Sequence, residues 1–168
     1  MSSITLFCAQ YLFVVPLALL LWGWLRADAA GRRVLLLRGV IALVLGVALA
    51  KGGGGLYDDP RPFVVGHFTP MIAHAPDNGF PSDHSLLVFS CAFLLWPFDR
   101  RLSALAAIAS AAVGAARVAS GLHHPFDVFA SVLFAGVGCA LGAALARSIP
   151  LKFTKNEADL RKATSIEE

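Results

Sequence analysis

The sequence predicts an all-α integral membrane protein, a helical bundle of about five transmembrane helices with its active site at the outer membrane face. Three observations predict it. Of 168 residues, 57% are hydrophobic and only 15% charged, and the mean hydropathy is +0.70, more apolar than a soluble domain of this size requires. Five apolar runs, at about 4 to 25, 34 to 50, 82 to 98, 102 to 120 and 126 to 147, approach the roughly 17 to 25 residues that carry a helix across hydrocarbon. The basic residues are segregated, with eleven of fourteen lysines and arginines on one side of that arrangement.

Each element has its own justification. The first run follows Met1-Ser2-Ser3-Ile4 with no basic segment ahead of it, and its positive charges come afterwards. Although Ala27-Asp28-Ala29-Ala30 faintly resembles a cleavage site, the run reads as a retained anchor. The second run ends at Lys51 and meets Gly52 to Gly55. That glycine run lacks the Gly-Lys-Ser/Thr of a nucleotide loop, so a flexible helix exit is expected there. A long connection follows, Lys51 to Pro81. The third run is the shortest, and Pro97 to Arg101 makes a tight turn after it. The fourth and fifth runs carry small residues, including Gly114, Gly138 and Gly142, which suit close helix approach within the bundle or in a dimer. Cys8, Cys91 and Cys139 lie within the runs without metal-binding spacing and read as packing residues. Residues 1–150 form the expected membrane domain, and 151–168 a short polar cytoplasmic tail.

Arg26, Arg32, Arg33 and Arg38, then Arg100 and Arg101, then Arg147 and the basic residues beyond it occupy the same side. The positive-inside rule puts that side in the cytoplasm, with the N-terminus outside. Lys51, Arg61, Arg117 and all five histidines remain on the outer face.

The chemistry concentrates there. Arg117, His123 and Asp127 are spaced as Arg, five residues, His, three residues, Asp. A histidine becomes a usable nucleophile when a carboxylate holds its far nitrogen and fixes the tautomer, and Asp127 is placed to do this for His123. Pro125 suits a first helical position. Upstream, Pro81-Ser82-Asp83-His84 opens the third run; Ser82 can cap that helix, whose first-turn N–H groups attract phosphate, and His84 is placed to protonate a leaving oxygen. Arg61 and Arg117 offer planar forks for phosphate oxygens and Lys51 a point charge. Charged groups this close to hydrocarbon carry function by default. Arginines can neutralise developing charge in phosphoryl transfer, and no carboxylate cluster or zinc-type spacing is apparent, so catalysis without metal or other cofactor is expected. His67, His74, Asp58, Asp59 and Asp77 populate the same connection, where His67 and His74 read as exposed loop residues rather than as groups that tune the site or touch a diphosphate, and spacing favours His123 over His124.

These residues resemble the three-part signature of the phosphatidic acid phosphatase type 2 superfamily: Lys, six residues, Arg-Pro at Arg61-Pro62; Pro-Ser-Gly-His at Pro81, Ser82 and His84; Ser-Arg, five residues, His, three residues, Asp at Arg117, His123 and Asp127. Nine residues separate Lys51 from Arg61, where the pattern has six, and its strict position is Gly54. Asp83 replaces a glycine and Ala116 a serine. Asp59-Pro60-Arg61-Pro62-Phe63 and Asn78-Gly79-Phe80-Pro81-Ser82-Asp83-His84 are similar to bacterial undecaprenyl-pyrophosphate phosphatases of the bacitracin-resistance type. The resemblance implies that His123 attacks phosphorus, Asp127 orients it, His84 protonates the leaving group, and Arg61, Arg117, Ser82 and Lys51 bind phosphate. It implies a multi-pass protein of the bacterial plasma membrane acting on a polyprenyl pyrophosphate lipid, with no nucleic-acid partner. A phosphatidylglycerophosphate or phosphatidic acid phosphatase is the second expectation, and a nonenzymatic lipid-pyrophosphate binding or transport protein the third.

Overall fold

The computed structural model describes residues 3–149, and over them it is helical. In order come α1 (Ser3–Tyr11), α2 (Val14–Arg26), α3 (Ala29–Leu56), the single turn α4 (Pro62–Val65), α5 (Asp83–Leu95), α6 (Arg100–Ala119) and α7 (Pro125–Ser148). Among the described residues the only extended pairing is an isolated bridge between Pro60 and Asn78. The expected polar tail lies outside the described residues.

Helices α3, α6 and α7 are long and apolar enough to cross a membrane, and α1 with α2, bent by 43° at their break, reaches that length only as a pair. The bend follows from Pro16, which has no N–H to give and whose ring crowds the carbonyl four residues back, at Leu12. Hydropathy alone reads residues 4 to 25 as one uninterrupted run because proline barely alters the average. Helix α5 is the short element, with 13 residues, about 20 Å long, and it is the centre of the bundle, packed on α2, α3, α6 and α7.

Local chemistry sets the ends. Asp28 caps α3 through Gly31 N–H, and the Arg32 guanidinium donates back to the Trp24 and Leu25 carbonyls at the end of α2. Asp99 accepts from the N–H groups of Arg101 and Leu102 and so starts α6. The most extensive helix contact is α3 against α7. A Cβ at Gly138 would stand 2.9 Å from the Ala42 carbonyl oxygen, and one at Gly142 would stand 3.0 Å from Ala42 N. The glycine face is therefore consumed inside the bundle.

One expectation is corrected here. Gly52 to Gly55 is not a loose exit: α3 continues through it to Leu56. Glycine is intrinsically poor in a helix, but here it admits a crossing chain. A Cβ at Gly54 would lie 2.9 Å from the Phe80 carbonyl oxygen and one at Gly53 would lie 3.0 Å from the Phe134 ring. Asn78 fastens the crossing, its amide donating 3.0 Å bonds to the carbonyls of both Gly54 and Tyr57.

Candidate active site

The connection between α3 and α5 folds back over the helix ends that the α6–α7 link joins. Gly79 N–H donates to the Asp59 carbonyl at 2.8 Å, and Asn78 Oδ1 accepts from both Asp59 and Phe80 N–H. This fold-back brings together groups that are more than 60 residues apart. Arg61, Arg117, His123 and Asp127 are all buried, with relative exposures of 6, 3, 3 and 0%.

His123 lies in the link between α6 and α7, and its two nitrogens have different surroundings. Nδ1 is 2.9 Å from the Gly79 carbonyl oxygen and 3.4 Å from Asp127 Oδ2. Both oxygens only accept, so Nδ1 carries the hydrogen and the neutral ring presents its lone pair at Nε2. Nε2 faces two guanidiniums, 3.3 Å from Arg61 Nη1 and 3.5 Å from Arg117 Nη2. The expected orienting carboxylate is present, but it shares the task with a backbone carbonyl that stands closer. Asp127 Oδ2 also accepts the His124 N–H at 2.8 Å, while Oδ1 has no hydrogen-bond partner.

The arginines are held differently. Arg61 donates to Asp77 at 2.7 Å and to the Leu122 carbonyl at 3.0 Å. Arg117, near the end of α6, donates to the Ala9 carbonyl at 3.3 Å, and its Nε is buried without a partner. No carboxylate pairs with Arg117 among the described residues. A buried guanidinium with an unspent donor beside a histidine lone pair is an anion site.

Burial is the largest influence on His123 and holds its pKa below the ordinary 6.5; the positive charges of Arg117 and Arg61 act in the same direction, and Asp127 opposes them. Asp77 is held below the usual carboxylate range, chiefly by its hydrogen bond from Arg61.

Ser82 is fully buried and caps α5, accepting from Ser85 N–H and Oγ, while its carbonyl accepts from Ser131 of α7. His84, in the first turn of α5, packs its ring edge-on against Phe13 at the α1–α2 bend. Lys51 is exposed, and no hydrogen bond or ion pair among the described residues ties it to this cluster. His67 is exposed as expected. His74 is not: it is half-buried, and burial followed by the charges of Arg61 and Arg117 lowers its pKa.

Two features were missed in the sequence. Gly79 supplies the nearest partner of His123, and a Cβ there would meet the Asp59 carbonyl oxygen at 3.1 Å and both Arg61 Cγ and Asp127 Oδ2 at 3.3 Å. Its place in the Asn78 to His84 stretch was the only available signal. Contrary to the expectation of no carboxylate cluster, Asp59, His124 and Asp127 converge, with ligand atoms within 4.8 Å of one another and His124 Nδ1 3.2 Å from Asp59. Burial, and then the charge of Asp127, raises the Asp59 pKa. A shared proton or a divalent cation would each relieve that repulsion, and chelation separates the two.

Comparison with known proteins identifies the family and the fold. Residues 33–150 match the PAP2 superfamily model. The chain is 35% identical over 143 residues to the bacitracin transport permease protein BcrC of Bacillus licheniformis, covering 84% of this chain and 69% of that protein. It is 29% identical over 138 residues to the undecaprenyl-diphosphatase BcrC of Bacillus subtilis, covering 80% and 69%. The crystal structure of Aquifex aeolicus LpxE superposes with a TM-score of 0.71 at 18% identity, over 86% of this chain and 87% of that one, which shows a common fold. The chain belongs to the PAP2 superfamily and is a membrane lipid phosphatase.

Proposed function

We propose that the protein hydrolyses undecaprenyl pyrophosphate to undecaprenyl phosphate and phosphate through a phosphohistidine on His123, so recycling the carrier lipid of cell-wall synthesis. The observation that carries this reading is the His123 ring itself: Nδ1–H is spent on Gly79 and Asp127, and Nε2 is left facing two buried guanidiniums. The lone pair of Nε2 attacks the terminal phosphorus, and the bond from phosphorus to the bridging oxygen breaks. His84 gives its proton to the departing lipid phosphate. Water then attacks phosphorus, His84 takes up a proton from it, and the P–N bond breaks to release phosphate and restore His123. The Gly79 carbonyl and Asp127 stabilise the ring while it is positive. Arg61, Arg117 and the start of α5 at Ser82 neutralise the equatorial oxygens. Lys51 would act at most as a diffuse attracting charge.

The choice of lipid rests on the names of the relatives, and the side of the membrane on the basic residues gathered at the opposite helix ends. The site then faces outward from a bacterial plasma membrane. Purified protein in excess EDTA is expected to release phosphate from undecaprenyl pyrophosphate faster than from phosphatidylglycerophosphate or phosphatidic acid. The reverse order would assign it to phospholipids, EDTA-sensitive release would put a cation in the Asp59–His124–Asp127 cluster, and tight binding without release would leave a binding protein.

Two further outcomes follow. Gly79→Ala is expected to lower kcat by roughly 10- to 100-fold with folding intact, because a shift of a few tenths of an ångström at Asp127 misaligns the ring. The acid limb of kcat/KM reports the free enzyme's nucleophile. A lowered His123 pKa keeps the ring neutral below pH 6.5, so activity is lost only as the pH falls through that lower value. Removing one positive neighbour in Arg61→Gln is expected to move the limb upward toward 6.5, beyond any drop in rate; an unmoved limb would show that another group sets it.

A further inference from the structure

Asp59, His124 and Asp127 each hold a ligand atom within 4.8 Å of the other two, yet these atoms do not satisfy one another. His124 Nδ1 stands 3.2 Å from Asp59 Oδ2 and is buried, but it makes no hydrogen bond. Asp127 is fully buried. Its Oδ2 accepts the His124 N–H and faces His123 Nδ1, whereas its Oδ1 has no hydrogen-bond partner. A buried carboxylate oxygen without a donor is costly, so it calls for a ligand.

The donor set narrows what that ligand is. Two carboxylates and an imidazole supply oxygen and nitrogen together, which suits a borderline divalent ion such as Zn²⁺ or Mn²⁺ better than Mg²⁺ or Ca²⁺, which take oxygen alone. A shared proton would serve the two carboxylates and leave the imidazole nitrogen idle. The side chains of Asp59 and His124 are 17% and 35% exposed while Asp127 closes the back, so the cluster has an entry path.

Resting on the proposed phosphohistidine route, we propose that Asp59, His124 and Asp127 form an inhibitory site for a divalent transition-metal ion. Asp127 is where this site and the catalytic one meet. In the reaction its negative charge stabilises the His123 ring while that ring is positive. An ion on Oδ1 cancels that charge and sets its own positive charge close to the ring, so attack on phosphorus slows. Asp59 gives a second connection: its carbonyl accepts the Gly79 N–H at 2.8 Å, and the Gly79 carbonyl stands 2.9 Å from His123 Nδ1. Arg61 and Arg117 supply no ligand to the ion and still hold the pyrophosphate. Inhibition therefore falls on kcat rather than on KM.

The test begins with binding. Detergent-purified protein, stripped with EDTA and exchanged into phosphate-free buffer without chelator, is titrated with Zn²⁺ alone by calorimetry. Wild type is expected to take up one ion at this site, with affinity roughly 10- to 100-fold weaker in monodisperse Asp59→Asn and in His124→Gln. Turnover of undecaprenyl pyrophosphate is then measured with and without Zn²⁺. Saturating ion is expected to lower wild-type kcat roughly 10- to 100-fold, less than outright loss of an orienting carboxylate causes, with KM little changed. Both variants are expected to keep the ion-free rate and to resist Zn²⁺. No binding to wild type would leave a shared proton in the cluster and overturn the proposal. Equal binding or equal inhibition in all three proteins would put the ion on another group or on the pyrophosphate, and would also overturn it. So would selective binding without inhibition, or Zn²⁺ that restores an enzyme silenced by EDTA. Wild-type protein that leaves the lipid intact would sink the pyrophosphatase reading alone, since selective loss of binding in the variants would still establish the ion site.

Discussion

His123→Ala is expected to abolish turnover, with kcat lower by roughly 10⁴-fold or more, since removing a nucleophile removes the covalent route altogether. The variant should still bind the pyrophosphate lipid. Arg61 remains held by Asp77 and Leu122, and Arg117 by Ala9. A small side chain in place of the ring leaves a cavity without leaving a new buried charge. Turnover by the detergent-purified variant, checked for monodispersity, measures this directly. Near-normal hydrolysis would transfer the chemistry to an activated water and leave His123 as a phosphate ligand.

Arg117→Lys is the second large effect, with an expected loss of about 10³-fold in kcat/KM, the lower range seen when a phosphoryl-transfer arginine is lost. Arg117 is 3% exposed, has an Nε without a protein partner, and aims Nη2 at His123. Lysine keeps the charge but not the planar fork, so it cannot hold the Ala9 carbonyl and two phosphate oxygens together. Arg61 is more committed to the protein, because Asp77 and Leu122 already occupy Nε and Nη1. A loss below tenfold in Arg117→Lys would reduce that residue to a point charge.

Much of the site was legible in the sequence because each motif sits at a helix end that hydropathy can find. Arg117 closes α6, His123 and Asp127 straddle the start of α7, and Ser82 caps α5. The small-residue face of α7 was legible for the same reason, Gly138 and Gly142 lying one helical turn apart, whereas its partner surface on α3 was not read from the sequence. What was hidden depends on atoms or contacts that the sequence does not display. The Gly79 carbonyl is backbone, and any residue has one. The Asp59–His124–Asp127 cluster exists only because Asn78 pins the connection back across α3. The same crossing turns four glycines, which locally favour a loop, into a packed helix end. His74 was read as exposed because it lies in a long connection, yet the fold half-buries it near Arg61 and Arg117, and burial, followed by their charge, lowers its pKa. Lys51 shows the opposite failure: its residue type fitted the chemistry, but α3 leaves it exposed.

The most direct measurement is a rapid alkaline quench of the protein with undecaprenyl pyrophosphate labelled in its terminal phosphate, followed by peptide mapping. Phosphohistidine survives base and is lost in acid. The expected result is an acid-labile phosphate on the peptide containing His123, formed in the first turnover in the presence of EDTA and absent from His123→Ala. Hydrolysis that proceeds at full rate with no label on that peptide at any quench time would contradict a covalent route through His123.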